Sequence, residues 1–214
     1  MSASMVTPMS ASRLEQRKAQ TRRKLVDAAR AMLADGTAQR ASIQDITEAA
    51  DVGFGSFYNH FTSKDDLFVA AVADVLEEVG ALLERLNREL ADPAAGFAQS
   101  VRLAVRMARK RPQVAHILVR HGLSYLDGRH GLTPRILPDI IRAVEAGRFT
   151  VDNPRLAFAT TFGSVLGTLQ LTLVDPDFAA QPVDEQLAEQ LLRMFGVAAD
   201  EARELATGPL PDLP

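Results

Sequence analysis

The side chains best suited to binding chemistry lie in one short stretch, Gly53 to Lys64, which reads G-F-G-S-F-Y-N-H-F-T-S-K. Ser56 and Asn59 carry groups that can hydrogen-bond to base edges, and Lys64 carries a cation that suits a phosphate. Gly53 and Gly55 have no side chain, so another molecule can approach their backbone closely. This combination favours nucleic-acid recognition over catalysis.

Catalytic and metal chemistry have little support elsewhere in the chain. It contains no Gly-rich phosphate loop and no His-Glu-x-x-His pattern. The absence of cysteine excludes disulfides, thiolate metal sites and cysteine nucleophiles. His116 and His121 are five residues apart and point in different directions on one helix, so they do not form a metal-binding pair. We expect no cofactor, no metal site and no catalytic residue; an enzyme that uses the helical body is the weaker alternative.

Two short helices joined by a turn are predicted to position these side chains. Ser42 and Asp45 have the spacing of a capping box, which marks the start of the first helix. Asp51-Val52-Gly53 then interrupts the apolar pattern, and we expect Gly53 to take a positive φ there. The second helix is predicted over about 53–60, with Ser63 capping the helix after it. Such a helix-turn-helix places its second helix in the major groove of DNA.

The run A-D-V-G-F-G-S-F-Y-N-H-F-T-S-K-D-D-L resembles the DNA-binding signature of the tetracycline-repressor (TetR) family of bacterial transcription regulators, densely over about 22–67. The resemblance implies that Ser42, Tyr58, His60 and Lys64 hold phosphates. Phe54, on the rim of the reading helix, departs from the commoner family sequence. The predicted DNA-binding residues are Arg22, Arg23, Ser42, Gly53, Phe54, Gly55, Ser56, Tyr58, Asn59, His60 and Lys64.

The distribution of charge agrees with DNA contact at one end of the molecule. Although the net charge is −3, residues 1–24 hold six basic side chains and one acidic one, whereas residues 67–214 hold 15 basic and 19 acidic. Arg22 and Arg23 are therefore candidates for phosphate contact. Residues 1–12 are predicted to form a disordered arm, and a DNA contact from residues 13–18 stays open.

The remaining sequence predicts an all-α protein of nine to ten helices. Residues 1–66 would form a three-helix DNA-binding domain, and residues 67–214 an effector-binding and dimerisation domain. Arg102 and the other basic residues of the helix over 94–110 are predicted to form a solvated face. No uninterrupted apolar run has the length of a membrane span and no signal layout is visible, so we expect a cytoplasmic protein. The predicted helices cover about 14–34, 42–50, 53–60, 63–90, 94–110, 112–125, 134–146, 154–174, 184–195 and 199–206.

The helix over 154–174 has a stripe of small residues that suits close approach of another helix. A glycine inside a helix costs about 1 kcal/mol relative to alanine, so two glycines one turn apart need a structural reason. The family resemblance implies that this helix and the one over 184–195 pair with their symmetry mates in a homodimer. The predicted interface residues are Ala159, Gly163, Gly167, Leu187 and Leu191.

The resemblance also implies a pocket for a small-molecule effector among the helices between 63 and 174. Each candidate residue could instead belong to the ordinary core. Arg120 stands out because a buried arginine on an apolar helix needs an acidic partner or an anionic ligand. The predicted lining is Phe97, Val101, His116, Arg120, Tyr125, Phe158, Phe162 and Gln170.

Together these features predict a ligand-responsive regulator, a repressor, that binds a palindromic DNA operator as a homodimer. A small, mainly apolar effector would shift the long helix over 63–90 and release the DNA. The alternative is a DNA-binding regulator that is controlled by a partner protein and takes no small ligand.

Overall fold

A computed structural model describes residues 9–125 and 132–213, with side chains for 13–124 and 132–213. Within these residues the protein consists of eleven α-helices and one 3₁₀ helix and has no strand, which confirms the predicted all-α class. The α-helices are α1 (Met9–Asp35), α2 (Ile43–Ala49), α3 (Phe54–Phe57), α4 (Lys64–Asn87), α5 (Pro93–Lys110), α6 (Pro112–His121), α7 (Thr133–Glu145), α8 (Pro154–Val174), α9 (Pro176–Ala179), α10 (Val183–Met194) and α11 (Ala199–Thr207).

The chain divides into two compact units, Met1–Ala71 and Val72–Pro214. This division, like the boundary predicted after residue 66, falls inside α4, so that helix belongs partly to each unit. Most of the predicted disordered arm, residues 1–8, lies outside the described residues. Residues 9–12 belong to α1, so the helix start predicted near Leu14 was too late.

The first unit contains the predicted pair of short helices. The Ser42 hydroxyl accepts a hydrogen bond from the Asp45 backbone N–H (3.1 Å), and the Asp45 carboxylate accepts one from the Ser42 N–H (2.8 Å), so the capping box is present. The prediction for the turn was wrong: Asp51 takes the positive φ, 51°, whereas Gly53 has φ −66°. In this conformation Asp51 accepts hydrogen bonds from Nζ of Lys24 at both its carboxylate (3.0 Å) and its carbonyl oxygen (3.3 Å).

In the second unit, α5 is the central helix, and it contacts α6, α7, α8, α10 and α11. The face predicted to be solvated is partly buried, because α10 packs against it. Arg102 is only 3% exposed and pairs with Asp184 (3.6 Å) and Glu185 (3.3 Å), and Arg106 pairs with Asp184 at 2.7 Å. Burial lowers the pKa of Arg102, and the two carboxylates oppose that effect. The prediction failed because these partners lie about 80 residues away in sequence.

Helix α8 has one buried and one exposed face. The Asn153 side chain caps it by accepting hydrogen bonds from the N–H groups of Arg155 (3.1 Å) and Leu156 (3.2 Å). Its buried face packs against α5, α6 and α7. Among the described residues, α8 alone is long and apolar enough to span a membrane, a property that it shares with the core helices of globular proteins.

Several helix boundaries in the second unit differ from the predicted ones, among them the end of α4 at Asn87 rather than residue 90. Helix α6 ends at His121 and continues as the 3₁₀ helix Gly122–Tyr125. Helix α7 begins at Thr133, one residue before the predicted start, and no side chain caps it. The segment after α8 forms α9, where Asp175 accepts hydrogen bonds from the N–H groups of Asp177 and Phe178. This short helix brings the number of α-helices to eleven.

Candidate functional site

The predicted reading residues form one surface of the first unit. Helix α3 is a single turn, Phe54–Phe57, and the chain continues as a hydrogen-bonded turn through residues 58–60. The helix predicted over 53–60 is therefore shorter than expected, and its last three residues form a turn that continues directly from it. Gly53, Phe54, Gly55, Tyr58 and Asn59 are exposed, and Ser56 and His60 are partly exposed.

A chain of aromatic rings connects this surface to the core of the first unit. Phe57 is fully buried, and Tyr58 stands edge-on to it with 5.4 Å between ring centroids. Phe54 in turn stands edge-on to Tyr58 at 5.9 Å. Phe54 and Tyr58 are 53% and 56% exposed. Two rings are therefore held at the surface by a buried third one.

Basic residues of α1 lie beside this surface. The guanidinium carbon of Arg22 is 5.2 Å from the ring centre of Phe61, in a cation–π contact. Burial lowers the pKa of His60, and the charges of Arg22 and Lys18 lower it further. Helix α1 thus adds positive potential next to the turn that carries His60.

Three of the predicted DNA-binding side chains already have partners within the first unit. Arg23 forms a salt bridge of 3.1 Å with Asp27. Ser42 takes part in the capping box of α2. Lys64, the first residue of α4, donates hydrogen bonds to the carbonyl oxygens of Gln39 and Ala41, both at 3.0 Å. Lys64 therefore holds the connection between α1 and α2.

The second unit contains an apolar cavity. Its volume is about 50 Å³. The two hydroxyl residues in its wall make hydrogen bonds to the protein: Ser100 accepts from Asn87, and Thr161 donates to the Ala157 carbonyl. The lining residues are Val79, Leu83, Phe97, Ser100, Val101, Ala104, Leu118, Leu132, Ile136, Phe158, Thr161, Phe162, Val165, Leu166 and Leu169.

The structure places Phe97, Val101, Phe158 and Phe162 in this lining, as the sequence indicated. It does not place the predicted polar residues there. Arg120 is exposed, so the argument for an anionic ligand, which assumed that this arginine is buried, does not hold. His116 is partly exposed, and Gln170 lies on the outer face of α8. The side chain of Tyr125 lies outside the described residues.

Apolar residues at α4 and α7 also line the cavity but were not among the predicted lining, because their helical spacing is equally typical of an ordinary core. Val79 and Leu83 of α4 line the cavity, as do Leu132, the residue before α7, and Ile136 of α7. The spacing of four residues in each pair was visible in the sequence. What the spacing could not show is which apolar residues border open space.

The outer face of α8 is exposed and contains small residues. Gly163 and Gly167 are exposed, and a Cβ added at either would meet no atom within 4 Å. Gln170 follows Gly163 by seven residues, two helical turns, and so shares this face. Of the residues predicted for the interface, Ala159 and Leu187 are partly exposed. Leu191 is 1% exposed and packs inside the chain, so it has almost no surface to offer a partner.

Comparison with known families follows this two-unit division. The model described as "Bacterial regulatory proteins, tetR family" matches residues 25–71, and the model described as "Tetracyclin repressor-like, C-terminal domain" matches residues 92–208. The second match alone covers more than half of the chain. Among curated proteins, no relative matches.

Solved structures similar to this chain include the regulator RolR in complex with resorcinol. That structure is 35% identical, covers 92% of this chain and 98% of its own, and has a TM-score of 0.66. RolR without ligand is 33% identical over 88% of this chain and 98% of its own, with a TM-score of 0.63. A TetR-family transcriptional regulator from Pectobacterium atrosepticum, at 22% identity, covers 84% of this chain and 96% of its own with a TM-score of 0.62, and shows the shared fold alone.

Proposed function

Because the chain belongs to the TetR family of bacterial transcription regulators and carries the helix-turn-helix DNA-binding domain of that family, we propose that it is a cytoplasmic repressor. In this proposal a homodimer binds a palindromic operator and is released by a small, mainly apolar effector. The observation that carries the proposal is the apolar cavity in the unit that follows the DNA-binding unit.

The exposed surface of α3 supports the proposed DNA contact. A Cβ added at Gly55 would meet no atom within 4 Å, so nothing inside the protein requires a glycine there. Close approach of DNA supplies a reason for it. In this arrangement Ser56 and Asn59 face base edges, while Arg22 and His60 face phosphates. Ser42 and Lys64 support the same surface by fixing the start of α2 and the loop before it.

The outer face of α8 supports the proposed dimer. Gly163 and Gly167 each lower helix stability by about 1 kcal/mol relative to alanine, and neither has a neighbour within the protomer that requires it. A second helix packed closely against them supplies that reason. Two reading heads on a symmetric dimer would contact half-sites about 34–36 Å apart, or somewhat more, and so select a palindrome.

The lining of the cavity supports a small effector that is mainly apolar. Since about 10–15 Å³ of such space holds one water, a cavity of about 50 Å³ suits a small molecule rather than a long chain. RolR, at 35% identity, has been solved with resorcinol, a single aromatic ring. We therefore propose a small aromatic compound as the effector class.

Helix α4 is the proposed path from the cavity to the DNA. Val79 and Leu83 line the cavity, and the same helix begins at Lys64 in the DNA-binding unit. Its 24 residues span about 36 Å. An effector that binds more tightly to one of two positions of α4 shifts the population of molecules towards that position. It can change the affinity for DNA by no more than the ratio of its own affinities for the two positions. The separation of the two heads would change with α4.

The alternative functions give the cavity no role. Control by a partner protein would need no cavity, whereas an open space lined by α4 residues favours a small ligand. Within the described residues, no group of three or more His, Asp or Glu side chains is arranged to hold a metal ion. The family to which the chain belongs consists of transcription regulators, which does not favour an enzyme in the helical body.

Selection of operators from random DNA tests the proposal. We expect the protein to enrich a palindrome with two equivalent half-sites. Asn59→Ala should weaken binding to this operator more than binding to random DNA, because base contacts specify sequence. Arg22→Gln should weaken both and reduce the salt dependence of binding, because a phosphate contact is lost. Failure to enrich any sequence, or equal losses on both DNAs for both variants, would contradict the proposed role.

A further inference from the structure

We propose that Phe54 reads the C5-methyl group of a thymine in each operator half-site. The inference rests on the proposed DNA-binding function and adds the identity of one contacted base. It starts from one feature of the reading surface: the side chain of Phe54, a hydrocarbon ring with no hydrogen-bonding group, is exposed there.

The position of Phe54 in α3 makes its ring protrude. Phe54 is the first residue of the helix and lies between Gly53 and Gly55. Because neither neighbour has a side chain, nothing adjacent in sequence covers the ring. Slightly more than half of the residue, 53%, is exposed, although the chain buries most of its other phenylalanines. Phe54 and Tyr58 together form an exposed aromatic patch on the proposed binding surface, and such a patch marks an interaction site.

The ring of Phe54 is also held in place. Its edge-on partner Tyr58, at 5.9 Å, packs at 5.4 Å against Phe57, which is fully buried. Edge-to-face contacts of this kind stabilise one relative orientation of the rings. Phe54 therefore loses little conformational freedom when it binds, which is what a side chain that selects a base requires.

The chemistry of the major groove leaves one natural target for such a ring. Guanine, cytosine and adenine present hydrogen-bond donors and acceptors there, and thymine alone among the four bases adds a methyl group. A phenyl ring set against a donor or acceptor would leave that polar group without a partner. Against a methyl group it buries apolar surface on both sides. The nearby Ser56 and Asn59 can supply the hydrogen bonds that Phe54 lacks.

Deoxyuridine isolates this methyl group, because it differs from thymidine only in lacking it. The operator is first selected with the full-length wild-type protein. In a series of operators, one thymine position at a time is replaced by deoxyuridine in both half-sites. Binding to each operator is measured by fluorescence anisotropy at fixed salt. We expect one symmetric pair of replacements to weaken wild-type binding by about fourfold per half-site, the effect of one buried methyl group.

Three variants assign that effect to a residue. Phe54→Ala should bind thymine and deoxyuridine operators equally well at that position, and Phe54→Leu, which keeps an apolar side chain, should retain part of the difference. Tyr58→Ala removes the edge-on partner of Phe54 and should reduce the difference without abolishing it. Binding of each variant to random DNA shows that its DNA-binding unit is folded.

The outcomes separate this inference from the proposed function. If an operator is found but no replacement weakens wild-type binding, or if Phe54→Ala remains as sensitive as wild type, the thymine contact by Phe54 is wrong while operator binding stands. The inference would also be overturned if Tyr58→Ala lost the difference between thymine and deoxyuridine while Phe54→Ala kept it. If no operator is enriched at all, the proposed function fails and this inference fails with it.

Discussion

The side chain of Arg135 lies directly across Gly80. A Cβ added at Gly80 would be 2.5 Å from Cδ of Arg135, so only glycine leaves room for the crossing. Arg135, on α7, pairs with Glu77 and Glu84, which lie on α4 on either side of Gly80. These hydrogen bonds raise the pKa of Arg135 and lower that of Glu77. One arginine thus joins a helix of the cavity wall to the helix proposed to carry the signal.

Replacement of Gly80 by alanine should displace Arg135. In an unobstructed helix the same change stabilises by about 1 kcal/mol, which for a protein of this size raises Tm by about 2–4 °C. At Gly80 we expect no gain or a loss, since the new methyl group also lies 3.3 Å from Leu132. Gly96→Ala in α5 is the matched control, because its added Cβ would make ordinary contacts of 3.8 Å with Asn87. Equal increases in Tm for both variants, measured by circular dichroism, would contradict a steric role of Gly80.

Removal of the Arg135 side chain should weaken communication between the cavity and DNA. We expect Arg135→Ala to bind operator and effector but to show a smaller change in operator affinity when effector is added. Arg142→Ala is the control, because Arg142 lies on the same helix and pairs with Asp139 of that helix rather than with α4. Operator affinities with and without effector give the ratio for each variant. A ratio like that of wild type in Arg135→Ala would show that the bridge does not transmit the effect.

The sequence predicted features whose causes are local. The capping box of Ser42 and Asp45 depends on two residues three positions apart, and it is present. Arg102 was misjudged because its acidic partners come from α10, and no local pattern encodes which helix packs on which. Gln170 was a different kind of miss. Its spacing from Gly163 already placed it on the outer face of α8 and away from the cavity.

Filling the small-residue face of α8 should separate the proposed dimer. Gly163→Leu introduces a side chain into space that is open within the protomer, so the fold should be retained. We expect sedimentation analysis to show a monomer, with operator affinity lowered at least a hundredfold because the two heads no longer bind together. Glu204→Leu, an exposed position on α11, controls for the added apolar side chain. A dimer of unchanged affinity in Gly163→Leu would place the interface elsewhere.

Acidification should destabilise the protein through two histidines. Burial lowers the pKa of His60, with Arg22 and Lys18 adding to the effect, and burial and Arg120 lower the pKa of His121. Below their ordinary pKa of 6.5 the unfolded chain therefore binds more protons than the folded one. The stability that depends on the neutral histidines is present above that pH and is lost as the pH falls towards their folded pKa values.

Thermal unfolding at a series of pH values checks this sign. We expect Tm to fall between about pH 7.5 and 5.5, and the double variant His60→Gln and His121→Gln to show a smaller fall. Carboxylates with lowered pKa, such as Asp92, lose their contribution only at lower pH and so do not interfere. A fall in the double variant as large as in wild type would show that other groups cause it.

Titration of operator affinity with small apolar compounds, aromatic and aliphatic, tests ligand-controlled DNA binding most directly. Ala104→Leu fills part of the cavity, and Ala95→Leu changes the same helix outside the lining. We expect at least one compound to weaken operator binding about fivefold or more in wild type and Ala95→Leu, with little effect on Ala104→Leu, which should still bind operator. If no compound changes operator affinity, or if Ala104→Leu responds like wild type, control through this cavity is contradicted.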